Sequence, residues 1–164
     1  IDLDQYYSEH NFFFDKLEDY FATKVIVTPH PKTRGVKNPY FKKRVVDYGN
    51  DATLKLTPDS LFVICGIYVS TAISFAISCY KPIFFLYSDQ YNQHYEKQTK
   101  TAAETAKLIG SRLIDINNFK KSEILKNMKI NKKLYNNYKY NYLTSKSLSK
   151  NPNYQIINKL ILKN

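Results

Sequence analysis

The sequence predicts an α/β fold, a parallel sheet with helices on both faces and a helical tail behind it. Three observations carry this. Short runs that are apolar at nearly every position recur along the chain. Segments of helical period separate them. Positive charge is gathered at the C-terminal end. Strands apolar throughout, rather than at alternate positions, suit a parallel sheet buried on both sides.

The elements follow in order. Phe12, Phe13, Leu17, Tyr20 and Phe21 sit at helical spacing, so the first helix is expected at about 11–22. Lys24-Val25-Ile26-Val27-Thr28 is short, β-branched and stopped by Pro29, which predicts a buried strand. Arg44 to Tyr48 is a candidate second strand. Further strands are expected at 61–65, 83–87 and 113–116, with helices between them at about 52–57, 70–79 and 98–109. Gly110 is the stop signal of the last of these. The result is a Rossmann-like layer. Beyond residue 119, Tyr135, Tyr138, Tyr142 and Leu143 recur at three- and four-residue steps and predict a helical segment packed back on the layer. A final helix at about 152–163 carries Ile156, Ile157, Leu160 and Ile161.

The charge divides the chain at the same place. Residues 1–118 hold 14 Lys/Arg against 13 Asp/Glu, whereas residues 119–164 hold 11 Lys against the single Glu123. The expected organisation is therefore a neutral Rossmann-like domain over 1–118 and a basic helical tail over 119–164. A tail of this kind serves an anionic membrane surface, nucleic acid or solubility. The chain opens on Ile1 and its one methionine is Met128, so a fragment is expected. Leu61 to Tyr80 is twenty residues without a charge, the length of a membrane span. Gly66, Ser70, Thr71, Ser74 and Ser78 within it favour strand, turn and helix instead. Cys65 and Cys79 lack C-x-x-C spacing and read as free thiols of a cytoplasmic protein.

Ligands of open parallel sheets collect beyond the carboxyl ends of the strands. Thr28-Pro29-His30-Pro31 follows the strand 24–28, with Lys32 and Arg34 next. The prolines stiffen the turn, the cations suit an anion, and His30 can donate to a phosphate or assist a leaving group. The same histidine reads equally as a solvated loop residue. Ser70-Thr71 opens a helix after the strand 61–65, either as an ordinary cap or as a phosphate site at a helix N-terminus. Asp2-Leu3-Asp4 has the D-x-D spacing of a metal site but precedes the fold, and reads as a linker. His10 and His94 read as core or surface histidines. Asp89 is a turn residue or a ribose contact. Walker-type and serine-nucleophile motifs do not occur.

The ordered set Thr28-Pro29-His30-Pro31, Tyr40-Phe41 with Arg44, Ser70 to Ala76 and Lys81-Pro82-Ile83 resembles a known pattern. With Leu3-Asp4-Gln5, His10, Tyr20-Phe21 and Tyr135–Tyr138–Tyr142, it is similar to the surface carbohydrate biosynthesis proteins. More broadly it resembles the C-terminal half of GT-B glycosyltransferases using CMP- or CDP-linked donors, such as bacterial sialyltransferases, polysialyltransferases and the Kdo transferases of capsule synthesis. The resemblance implies a metal-independent transferase of surface polysaccharide with no cofactor beyond its nucleotide-sugar donor, CMP-linked, and a glycan acceptor. It implies that His30 binds the donor phosphate and protonates it on departure. Ser70 and Thr71 would bind phosphate or ribose, Pro31 would shape the loop, and Arg34 or Arg44 would add a weaker phosphate contact. It also implies that the acceptor's base lies in an N-terminal domain outside this chain. The competing readings are a non-catalytic scaffold of polysaccharide assembly and, least favoured, a basic nucleic-acid binder.

Overall fold

A computed structural model describes residues 2–29, 41–66 and 71–146. Strands β1 (Val63–Cys65), β2 (Ile83–Tyr87) and β3 (Leu113–Asp115) form a parallel sheet in the order β1-β2-β3. Val63 aligns with Ile83 and Phe85 with Leu113. The fold is α/β, and β2 occupies the range its sequence predicts.

Side chains alternate across the sheet even though its strands are continuously apolar. Phe84, Leu86, Ile114 and Ile116 share one core with Phe13, Phe14 and Leu17 of α1 (Leu3–Phe21) and Ile124 of α5 (Lys121–Asn127). Ile83, Phe85 and Cys65 face the other way. They meet Ile73, Ala76 and Ile77 of α3 (Ala72–Ser78), Ala102, Ala106 and Ile109 of α4 (Asp89–Ile109), and Tyr135 of α6 (Lys132–Tyr138). The crossover helices α3 and α4 thus lie on one face, as steps in one direction across a sheet require when both crossovers share a hand. Helix α1 and α5 cover the opposite face.

Helix α1 begins eight residues before its expected start at 11. Asp2 caps it by accepting from the Gln5 N–H, so Asp2-Leu3-Asp4 is a helix start rather than a linker. The buried stripe His10, Phe13, Phe14, Leu17 then runs at three- and four-residue steps. The polar first half hid this start, since Tyr6, Tyr7 and His10 carry a weak hydrophobic signal.

Helix α4 also starts early, at Asp89, where the buried Ser88 accepts from the Tyr91 N–H. The backbone kinks at Tyr95 (φ −138°, ψ 45°). The break directs Tyr91 to the α1 face and Ala102, Ala106 and Ile109 to the α3 face. Gly110 ends the helix at φ +77°, as its stop signal predicts.

The two expected strands nearest the N-terminus do not join the sheet. The segments 24–28 and 44–48 meet only in the parallel bridge Val27–Val46. Val27 donates to the Val45 carbonyl and accepts from the Asp47 N–H, both at 2.9 Å. The Val25 N–H goes to the Glu18 carboxylate at 2.8 Å. These bonds tie the Val25 and Val27 edge of the segment to α1 and to 45–47.

The segment after 119 is helical, as expected, through α5, α6 and a π turn at Lys139–Leu143. Tyr135 is buried and donates its hydroxyl to the Lys81 carbonyl at 2.9 Å. Tyr138 packs at the edge of the α3–α4 core. Tyr142 does not pack on the layer. It is 63% exposed and rests on the Tyr138 ring, because the wider π turn rotates it off the helical stripe. The helix expected at 152–163 lies outside the described residues. No helix among the described residues is long and apolar enough to cross a membrane, and Leu61 to Tyr80 is divided between β1 and α3.

Candidate functional site

A cavity of about 740 Å³ lies between α1, the segment 23–29, helix α2 (Ala52–Leu56) with its following turn at Thr57–Asp59, and β1. It occupies the gap left where the segment 24–28 fails to pair with β1. Aromatic walls come from Tyr6, Tyr7, Phe14, Phe41, Tyr48 and Phe62. Thr28 and Pro29 border it on one side and Gly66 on the other, and a Cβ built on Gly66 would meet no atom within 4 Å. The polar groups on the wall include Thr53, whose hydroxyl donates to the Thr28 hydroxyl at 3.1 Å, and Thr57, bonded to the Thr53 carbonyl. Lys24 is the one cation among the described lining residues.

His10 reaches this cavity from α1 yet is 3% exposed. Its Nδ1 lies 2.7 Å from the Tyr6 carbonyl, which can only accept, so Nδ1 carries the proton. Nε2 then accepts from the Tyr91 hydroxyl at 2.5 Å. Burial lowers its pKa to about 4, outweighing the Tyr6 bond and the nearby Glu9 charge. It is a neutral core histidine, one of the two sequence readings for it. Tyr91 was invisible as a partner in sequence. The one clue was the Ser88-x-x-Tyr91 start of a helix.

Arg44, named as a weaker phosphate contact, is committed elsewhere. Its guanidinium is buried over the Phe14 ring and donates to Asn11 Oδ1, Asp15 and both Glu18 oxygens, at 2.5–3.2 Å. This fork ties the 41–48 segment to α1 and commits four of the five guanidinium N–H donors. The hollow at the end of α1, lined by Asp15, Glu18, Asp19 and Lys24, has two of its carboxylates held by the same network.

Of the residues assigned to the site, Thr71 is described. It is exposed just before α3, and its hydroxyl makes no capping bond. His30, Pro31, Arg34 and Ser70 lie outside the described residues. Asp89 stands in the first turn of α4 and accepts from the Tyr87 hydroxyl at 2.9 Å. His94 is exposed. Cys65 is buried and Cys79 half-buried, both as free thiols, and burial pushes the Cys65 thiol up to about 12. At that pKa it is no nucleophile near neutrality. Among the described residues no group of three His, Cys, Asp or Glu is placed to hold a metal.

No known protein family, curated protein or solved structure matches this chain.

Proposed function

We propose that this chain is the donor-binding half of a nucleotide-sugar glycosyltransferase of bacterial surface polysaccharide synthesis, with a Rossmann-like layer of GT-B type. The donor is a CMP-linked sugar, and the enzyme works at the cytoplasmic side of the membrane. One observation supports this above the others. The two segments leading to the candidate phosphate loops end at a single cavity, with Pro29 just before His30 and Gly66 four residues before Ser70. The volume suits a nucleotide, and the aromatic walls suit a flat ring with a few polar groups for orientation. In this reading His30 holds and protonates the departing phosphate, Pro31 stiffens the loop, and Arg34, Ser70 and Thr71 complete the anion site.

A second reading, a non-catalytic scaffold of the same assembly, draws on the lock around Arg44, which removes one cation from phosphate binding. Calorimetry of the intact protein with CMP, CDP and UDP separates the two. The transferase reading expects cytidine nucleotides to bind best, with His30→Ala and Ser70→Ala each about ten- to a hundredfold weaker, the loss of one charge-assisted hydrogen bond. Equal binding by wild type and His30→Ala removes the role of His30. No nucleotide binding at all leaves the scaffold.

A further inference from the structure

The face built by α6, the π turn and Tyr80 is not used by the proposed donor site. From Lys120 to Lys139 the chain carries seven lysines and one acid. That acid, Glu123, accepts from the Lys120 N–H at 2.8 Å and serves the start of α5. Among the described residues, none of these seven lysines has an acidic partner within ion-pair distance. Such a concentration of unpaired ammonium groups on packed helices is a field waiting for a polyanion.

The tyrosines beside them distinguish one polyanion from another. Lys132 lies over the Tyr80 ring at 5.9 Å, and the same ring stacks on Tyr135. Lys139 and Lys146 lie over Tyr140 at 5.8 and 5.7 Å. Tyr138 and Tyr142 rest on each other, centroids 5.0 Å apart. Single-stranded nucleic acid binds by stacking bases on open aromatic faces, often with arginine. Here Tyr80, Tyr135, Tyr138 and Tyr140 carry ammonium groups or other rings, and no arginine follows Arg112. Half-exposed tyrosines among lysines are instead the composition of proteins seated at the headgroup level of a bilayer.

We infer that the face carrying Lys132, Lys139, Tyr140 and Tyr142 docks the protein peripherally on an anionic lipid surface. The ammonium groups meet the lipid phosphates and Tyr142 enters the headgroup layer. An attachment held by ammonium–phosphate attraction is screened and falls with salt.

The test is co-sedimentation of the intact protein with phosphatidylcholine vesicles, with and without phosphatidylglycerol. Binding is expected with the anionic vesicles alone. A lysine at the lipid surface contributes about fivefold, so the double variant of the exposed Lys132 and the half-buried Lys139, Lys132→Gln with Lys139→Gln, should bind up to about thirtyfold more weakly. Exchange of the same pair to arginine should retain binding, and Tyr142→Ser should weaken it while leaving the fold intact. Equal partitioning onto both vesicle types overturns the inference. So does undiminished anionic binding by the glutamine variant. Polyuridylate bound more tightly than the vesicles at equal salt, and lost in that variant, reassigns the face to nucleic acid.

Discussion

Tyr91 donates a hydroxyl hydrogen bond to Nε2 of His10, linking the first turn of α4 to the middle of α1 across 81 residues of sequence. Tyr91 stands behind His10 on the cavity wall, and the pair joins the α1 layer to the crossover from β2 to β3. It also makes the protein's stability depend on pH. The folded-state pKa of His10 is about 4 against an ordinary 6.5, so the unfolded chain takes up the proton first. Above pH 6.5 this contribution is fully present. It is lost as pH falls from 6.5 towards 4, by about 3 kcal/mol in all. Denaturant unfolding across that range should show the slope in the wild type and its absence in His10→Gln. An unchanged slope in the variant would contradict the assignment.

Arg44 holds the 41–48 segment to α1. Arg44→Met should destabilise the fold by about 2–4 kcal/mol, chiefly by leaving the little-exposed Glu18 charge with the Val25 N–H but no cation. The half-exposed Asp15 adds little. Arg44→Lys should recover only part, because a single ammonium cannot reproduce the fork to Asn11, Asp15 and Glu18. Thermal unfolding of the two variants measures both effects. If Arg44 were a phosphate ligand rather than a clamp, stability would not change.

Gly110 stands at φ +77°, and a Cβ there would come within 2.9 Å of Leu134 Cδ1. Gly110→Ala combines left-handed backbone strain with a push against α6. About 1–2 kcal/mol is expected from the backbone alone. Chemical denaturation should show this as a lower midpoint with an unchanged slope.

Gly66 offers the reverse case. A Cβ added there meets no described atom within 4 Å, so Gly66→Ala should change stability by no more than about 0.5 kcal/mol. In calorimetry the bulkier Gly66→Leu should weaken CMP binding, because its side chain is added to the cavity lining. Unimpaired binding would place the nucleotide elsewhere.

Much of the layer was legible in the chain. Ile83–Tyr87 is apolar at each position except its last hydroxyl, and a run covered on both sides has that composition whatever surrounds it. The α/β class, the parallel strands and the end of α4 at Gly110 follow from such local signals. The early starts of α1 and α4 were harder to read, because Asp2 and Ser88 announce them with single hydrogen bonds and the turns that follow are polar. Of the candidate site, the sequence marked both loops through proline, histidine and hydroxyl spacing. It gave no sign of the cavity between their supporting segments.

Residue order alone determined the apolar run of β2, where α4 ends and where positive charge gathers, since composition and glycine chemistry act within a few residues. It did not settle burial, as the exposed Ile26 in the expected buried strand 24–28 shows. Only the tertiary structure decided how those stretches are paired. Val27 bonds to 45–47 instead of β1, Arg44 turns to three side chains of α1, and the π turn carries Tyr142 out to the surface. Each is a competition among distant partners for one hydrogen bond, one charge or one place in the core. Such competitions are settled by which groups the fold brings together.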